Sequence, residues 1–314
     1  MRADANATAV AVCDFRHCLL LPHGAAAAAP ALIYQSGSSQ GAIRRWRLLH
    51  DSDRRGSHNA AVTTGPAELR ESWLTRTPIA HRGLHDPRDA RPENSLAAFD
   101  RACALGFPAE LDARLTRDRE VVVFHDRALR RLTGAAGRVE DRRAADIRAL
   151  RLLGTTERVP TLREVLDLVG GRVPLLVELK STVLWPALER AVLAALDGYA
   201  GDVAIQSFKR RTVRAIGRSD APHAVGHLWH RPGLLPTPGP RVGFLGCHVD
   251  ALPSRTVRRR REAGAVVLAW TVRSEAEAAR AMRYVDNYIF EGFVPAVGGP
   301  HPVSPPGSAA GASP

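Results

Sequence analysis

Between residues 77 and 291, short apolar runs alternate with stretches of helical period, and one joint in that series is too short to be a crossover. The runs 77–80, 109–115, 121–125, 174–180, 203–208, 223–229, 244–250, 266–272 and 288–291 read as strands. Helical patterns separate most of them. One opens at Asn94 or Ser95 and is closed by Gly106; others cover 186–199, 209–218, 254–263 and 274–283. Nine strands are one too many for an eight-stranded barrel. The runs 109–115 and 121–125 are joined only by Thr116-Arg117-Asp118-Arg119-Glu120, and a parallel crossover needs about a dozen residues or more. These two must therefore form an antiparallel hairpin. Removing the excursion leaves eight βα units, an α/β chain that closes as a (β/α)8 TIM barrel with a small hairpin after strand 2. The rival doubly wound sheet lacks its mark, since no Gly-x-Gly-x-x-Gly follows the first strand.

Length and composition fit one such barrel with tails. Of 314 residues, 76–297 form the expected barrel domain, 1–75 are read as a disordered extension and 298–314 as a disordered Pro/Gly/Ser tail. The net charge of +12 invites a nucleic-acid or anionic-surface binder as the non-enzyme reading. Only two of the 44 basic residues are lysines, however, Lys180 and Lys209; the arginines are spread through the main body. The densest run, Arg258 to Arg261, has no interleaved aromatics and reads as a solvated helix face, so no nucleic acid is expected. The four cysteines show no Cys-x-x-Cys spacing, which fits a reducing compartment without a zinc site. No apolar run is long enough for a transmembrane segment. Asp4 and Asp14 stand where a signal peptide should be positive, so a cytoplasmic location is expected, with secretion by an atypical signal as the alternative.

The chemistry gathers at strand ends. Strand 1 leads into His81-Arg82-Gly83, and Pro92-Glu93-Asn94-Ser95 opens the next helix. Glu110 and Asp112 lie two apart on one face of their strand, and Glu178 and Lys180 repeat that spacing. A Glu-x-Asp pair by itself equally suits a salt-bridged strand edge. Here, though, the charges interrupt runs whose barrel-facing side should be apolar, and buried unpaired carboxylates are costly. Three carboxylates at one barrel mouth describe a site for one hard divalent cation, Mg2+ or Ca2+. Gln206 ends its strand toward the same mouth. Trp270 serves either as a core aromatic or as a wall for substrate.

In order, the segments His-Arg-Gly, Pro-Glu-Asn-Ser-Leu-Ala-Ala-Phe, Glu-Leu-Asp-Ala-Arg-Leu-Thr-Arg-Asp, Val-Val-Val-Phe-His-Asp, Val-Pro-Thr-Leu-Arg-Glu-Val-Leu, Val-Glu-Leu-Lys, Gln-Ser-Phe and Ala-Trp-Thr-Val resemble the glycerophosphodiester phosphodiesterase domain from His81 to Val272. The resemblance implies a TIM barrel of the phospholipase C-like phosphodiesterase type. It also implies metal-dependent hydrolysis of small glycerophosphodiesters to sn-glycerol 3-phosphate and an alcohol. On it, Glu110, Asp112 and Glu178 are metal ligands and His81 and His125 are the catalytic histidines, exchanging base and acid roles. A glycerol hydroxyl would attack first to give a cyclic phosphate that water then opens. Arg82, Lys180, Gln206 and Trp270 would bind substrate, with Glu93 and Asn94 in support, bracing His81, lining the mouth or capping the helix.

Two places depart from the pattern. Arg91 precedes Pro92-Glu93-Asn94 where a small residue is common, and the last strand reads Asp286-Asn287-Tyr288-Ile289-Phe290-Glu291-Gly292-Phe293, with Glu291 where the family has a terminal Asp. The alternative enzyme reading is a lysophospholipase D or sphingomyelinase D type activity on the same barrel. Such an enzyme needs an apolar ramp, for which 228–245, with Trp229, Leu234, Leu235 and Phe244, is the candidate.

Overall fold

The computed structural model describes residues 66–182, 186–230 and 242–296, together with the backbone of 11–14 and 17–20. The strands Ala11–Asp14 and His17–Leu20 pair antiparallel, in a stretch where the sequence shows no strand period. The rest of the expected N-terminal extension up to residue 65, and the expected tail 298–314, lie outside the described residues.

Nine strands make up the main sheet: β1 Ile79–Ala80, β2 Ala109–Leu115, β3 Val121–Val123, β4 Leu175–Leu179, β5 Val203–Ser207, β6 Ala224–Trp229, β7 Phe244–His248, β8 Val266–Val272 and β9 Asn287–Phe290. All neighbours around the ring are parallel. β1 pairs with both β2 and β9, which closes an eight-stranded barrel. β3 pairs antiparallel with β2, Ala113 opposite Val123, so the short joint makes a hairpin as its length requires. Helices α1 Leu96–Leu105, α2 Leu162–Val169, α3 Ala187–Leu196, α4 Arg210–Gly217, α5 Arg255–Glu262 and α6 Glu275–Ala281 carry the chain between strands. Residues 231–241, between β6 and β7, lie outside the described residues.

Strand alternation sorts the core into two shells. One set of side chains, including Phe99, Leu111, Val177, Val192, Ile205, Val267 and Phe290, packs in the layer that contains the helices. The other, Ile79, Leu176, Ala204, Phe244, Val266, Leu268 and Ile289, clusters apart from it inside the barrel. The inner cluster includes Leu69 and Leu74 from the short helices Pro66–Arg70 and Trp73–Arg76. Both helices begin ahead of the boundary expected at residue 76 and pack with the barrel. Those helices are too short to show a period, and what orders them is the apolar barrel end they close. Asn287 Nδ2 donates to the carbonyls of Leu74 and Thr77, at 2.9 and 2.7 Å, and fixes them to β9. Among the described residues no helix is long and apolar enough to cross a membrane.

The excursion from β2 through residue 160 carries its own small core of Val122, Phe124, Leu129, Leu132, Val139, Ile147, Leu152 and Val159. It is anchored to α2 at the Pro160-Thr161 corner. Val123 N donates to Pro160 O, and Thr161 and Glu164 cap α2 reciprocally, each side chain accepting from the other's backbone N–H.

Inside the barrel Phe244 takes the space left by Gly226. A Cβ on Gly226 would lie 2.1 Å from Phe244 Cε2, and that ring is buried. Gly226→Ala should therefore destabilise the protein by about 1–3 kcal/mol, as overpacking of a filled core does. Adding Phe244→Leu should recover part of that loss, both being read from urea unfolding midpoints.

Candidate functional site

The mouth at the C-terminal ends of the strands begins with a backbone turn. Arg82 and Gly83 follow β1 with φ of 55° and 74°, the left-handed region. This directs Arg82 N–H onto Glu110 Oε2 at 3.0 Å and Gly83 N–H onto the Glu110 carbonyl at 3.1 Å. A side chain at Gly83 would also meet the backbone of Ala98 at 2.8 Å, so the third position of His-Arg-Gly admits only glycine. Asn94 is likewise left-handed, with φ 59°. Strain at non-glycine residues is held where the surroundings over-determine it, and here the Asn94 carboxamide grips Asp112: Nδ2 donates to Asp112 Oδ2 at 2.8 Å, and Oδ1 accepts from Asp112 N at 3.3 Å. The helix cap is Ser95, whose hydroxyl accepts from Ala98 N. Asn94 therefore supports a carboxylate of the cluster, and neither His81 nor the helix end.

Parallel register puts Asp112, Glu178 and Gln206 level on β2, β4 and β5. Glu110, Asp112 and Glu178 are buried, and one oxygen from each lies within 4.8 Å of the others. Positive side chains surround them. Lys180 Nζ is 2.6 Å from Glu178 Oε1 and 3.1 Å from Asp112 Oδ1, and Arg82 Nε is 3.3 Å from Asp112 Oδ2. Burial alone would raise every carboxyl here. Lys180 and Arg82 overcome it for Asp112 and hold that acid well below the usual range. Glu178 rises to about 7 through burial, with Asp112 adding to the rise, and Glu110 is pushed well above its ordinary value by burial and by its two acidic neighbours. With these side chains alone the cluster cannot carry all its charge. The cluster could hold a divalent cation, which would supply what is missing, and an all-oxygen carboxylate donor set fits a hard ion.

The two histidines share one arrangement. His81 Nδ1 is 2.5 Å from Glu291 Oε2, and His125 Nδ1 is 2.7 Å from Asp126 Oδ1. Despite burial, the hydrogen bond from His81, with His85 and Arg273 nearby, keeps the Glu291 carboxyl well below the usual carboxylate range; Asp126, bonded to Arg131 and His125, is lowered to about 2. Both acids are thus acceptors, so Nδ1 carries the hydrogen in each ring and Nε2 is left for chemistry. Burial is the largest influence on either imidazole and lowers both below 6.5. His81 Nε2 stands 4.0 Å from Glu110 Oε2. The residue before His125 is tied to the cluster strand, Phe124 N donating to Asp112 O at 2.8 Å, and Arg114 Nε holds the His125 carbonyl at 2.8 Å.

A chain of ion pairs joins the cluster to the second histidine. From Asp112 it passes to Arg82, then to Glu93 (2.6 Å from Arg82 Nη1), then to Arg131 (2.7 Å), and from Arg131 Nε to Asp126 (2.5 Å) and His125. Sequence reasoning named Arg82 and Glu93 but not Arg131, Asp126 or Glu291 as orienting groups. The adjacency of His125 and Asp126 was the one local signal; Glu291 is far from His81 in sequence and meets it only because β9 pairs with β1.

Gln206 and Trp270 also reach the mouth. Gln206 Oε1 and Trp270 Nε1 have no hydrogen-bond partner among the described residues, and the Trp270 indole meets Phe208 and His248 edge-on at 5.3 and 4.7 Å. The expected apolar ramp is not present in the described part. Trp229 and Phe244 are core residues of β6 and β7, while Leu234 and Leu235 lie outside the described residues. Arg91 turns to Asp89, at 3.0 Å.

Comparison with known proteins converges on one group. The glycerophosphoryl diester phosphodiesterase family model matches residues 81–293. A glycerophosphodiester phosphodiesterase of Caldanaerobacter subterraneus subsp. tengcongensis is 38% identical over 170 residues, covering 50% of this chain and 68% of that protein. One of Bacillus subtilis is 25% identical over 247 residues, covering 68% of this chain and 83% of that protein. Among solved structures, an Oleispira antarctica phosphodiesterase in complex with the product sn-glycerol-3-phosphate shares the fold, with TM-score 0.61 and 24% identity over 69% of this chain and 93% of that one.

Titration with Mg2+ or Ca2+ should raise the melting temperature. Cation at 100 times its dissociation constant adds about 2.7 kcal/mol, a rise of roughly 5–10 °C for a domain of this size. Asp112→Asn should abolish the rise. Asn94→Ala should weaken cation affinity about 10–100-fold in calorimetric titration, the usual cost of losing a residue that orients a ligand.

Proposed function

Because the chain belongs to the glycerophosphoryl diester phosphodiesterase family, we propose that its barrel mouth hydrolyses glycerophosphodiesters to sn-glycerol 3-phosphate and an alcohol, with one Mg2+ or Ca2+ held by Glu110, Asp112 and Glu178. The observation that carries this reading is the convergence of those buried carboxylates with two histidines, each oriented through Nδ1 by its own acid. Oxygen ligands suit either cation. When bound, the cation supplies positive charge to polarise a phosphoryl oxygen.

The chain's own groups account for the rest of the chemistry. Cleaving a phosphodiester requires a proton to leave the attacking oxygen and another to reach the departing one. His81 and His125 present Nε2 for those two transfers. One takes the proton of a glycerol hydroxyl as its oxygen bonds to phosphorus and the bond to the alcohol oxygen breaks, and the other protonates that alcohol. Water then opens the resulting cyclic phosphate with the roles exchanged. Arg82 and Lys180 lie beside the carboxylates and add fixed positive charge for the phosphoryl oxygens. Gln206 Oε1 and Trp270 Nε1, both without partners among the described residues, are available to glycerol hydroxyls, and the indole face packs against the carbon skeleton. Glu291 and Asp126 keep the two rings in the productive tautomer.

Release of glycerol 3-phosphate from a glycerophosphodiester, measured with a coupled dehydrogenase, should be lost in EDTA and restored by the cation. His81→Ala and His125→Ala should each lower kcat at least about 100-fold; near-full activity of either variant would remove that residue from catalysis. Glu291→Gln, which keeps the shape but not the charge, should lower kcat less than His81→Ala does and leave cation affinity unchanged.

A further inference from the structure

A cleft of about 560 Å³ opens beside the carboxylate cluster, lined by Glu178 and Lys180 on the cluster side and by Arg114, Arg127, Lys209 and Arg211 beyond them. That volume is of the order of small-molecule sites, about 300–1,000 Å³. Its lining holds five cationic side chains and one acid, and the acid is a proposed cation ligand. Both lysines of the whole chain face it. The charge is not neutralised locally in full. Arg127 is paired with Glu140 and Lys180 with Glu178 and Asp112, while Arg114 donates to the His125 carbonyl and Arg211 to the Thr182 carbonyl, but no ion pair holds the Lys209 ammonium among the described residues.

Placement makes this concentration of charge unfavourable by itself. Lys209 is the N-cap residue of α4 and Arg210 and Arg211 begin its first turn, with no acid in that turn and no side-chain cap. Cations at the positive end of a helix dipole are unfavourable. An anion lying in the cleft would offset that arrangement.

We propose that this cleft binds the leaving-alcohol arm of the substrate and that the preferred alcohol carries a further anionic group, a phosphate or carboxylate. The inference rests on the phosphodiesterase reading above. The glycerol arm bears only hydroxyls, so in a glycerophosphodiester the leaving arm is the part able to carry a second negative charge. Phe208, 37% exposed at the cleft and edge-on to Trp270, would by itself suit a quaternary ammonium. The cationic lining repels one, so the substrate class divides on the sign of the leaving group's charge.

The test compares kcat/KM of the full chain, loaded with divalent cation, at low ionic strength on three diesters of glycerol 3-phosphate. Their leaving alcohols are glycerol phosphate, glycerol and choline, which are anionic, neutral and cationic. The anionic leaving group should be favoured over choline by about tenfold or more, with glycerol between them, and the spread should shrink as salt screens the charges. Lys209 is exposed, so Lys209→Gln should fold, as checked by its melting temperature, and it should lower kcat/KM for the anionic substrate several times more than for the choline one. Equal kcat/KM for the three substrates, a preference for choline, or an equal effect of Lys209→Gln on all three would overturn the anionic subsite while leaving the phosphodiesterase reading intact. If none of the three were cleaved, that reading would fall and the inference with it.

Discussion

Three carboxylates packed within 4.8 Å of one another at the mouth of a barrel are the constraint to which the rest of the site answers. Like charges at that spacing, out of water, repel strongly, and a buried carboxylate without compensation is costly. Each neighbouring feature can be traced to that demand. The left-handed pair Arg82 and Gly83 turns a backbone N–H onto Glu110, and left-handed Asn94 holds both the carboxylate and the amide of Asp112. Lys180 bridges Asp112 and Glu178. Even so, two of the three acids remain raised, and this is the chemical reason for assigning a cation to the cluster.

The same electrostatics extends outward. Arg82 contacts Asp112 on one side and Glu93 on the other, Glu93 holds Arg131, and Arg131 holds the acid that orients His125. The histidine on the hairpin excursion is thus positioned relative to the cluster by a run of charge-assisted hydrogen bonds, backed by the separate core of the excursion and its anchor at Thr161. His81 is placed differently, by an acid at the end of the strand that closes the ring. A barrel can supply both because its strand ends converge from all sides while its walls remain rigid.

How much of this was legible in the sequence depended on whether the cause was local. The hairpin followed from a five-residue joint, and the common face of Glu110 and Asp112 from the period of a strand. Gly106 was recognisable as a helix stop because helix ends are short-range chemistry. The barrel was expected to close, but which side chains its closure brings together is a long-range matter that no local spacing shows. Glu291 was visible only as a departure from a family pattern, and its role depends on β9 lying beside β1. Asn94 was assigned to three possible tasks, and the geometry selects a fourth, bracing Asp112, since the choice turns on a left-handed backbone that the residue type permits but does not dictate. The helices at 66–76 carry too few residues to show a period, and their order comes from the barrel end they cover.

The central claim, that a divalent cation sits among Glu110, Asp112 and Glu178, is tested most directly by anomalous diffraction from crystals grown with Mn2+ as an oxygen-seeking substitute. The account predicts one strong anomalous peak bonded to an oxygen of each of the three carboxylates, with Lys180 displaced from at least one of them. A peak elsewhere, or an empty cluster with Lys180 still bridging Asp112 and Glu178 at saturating Mn2+, would contradict it.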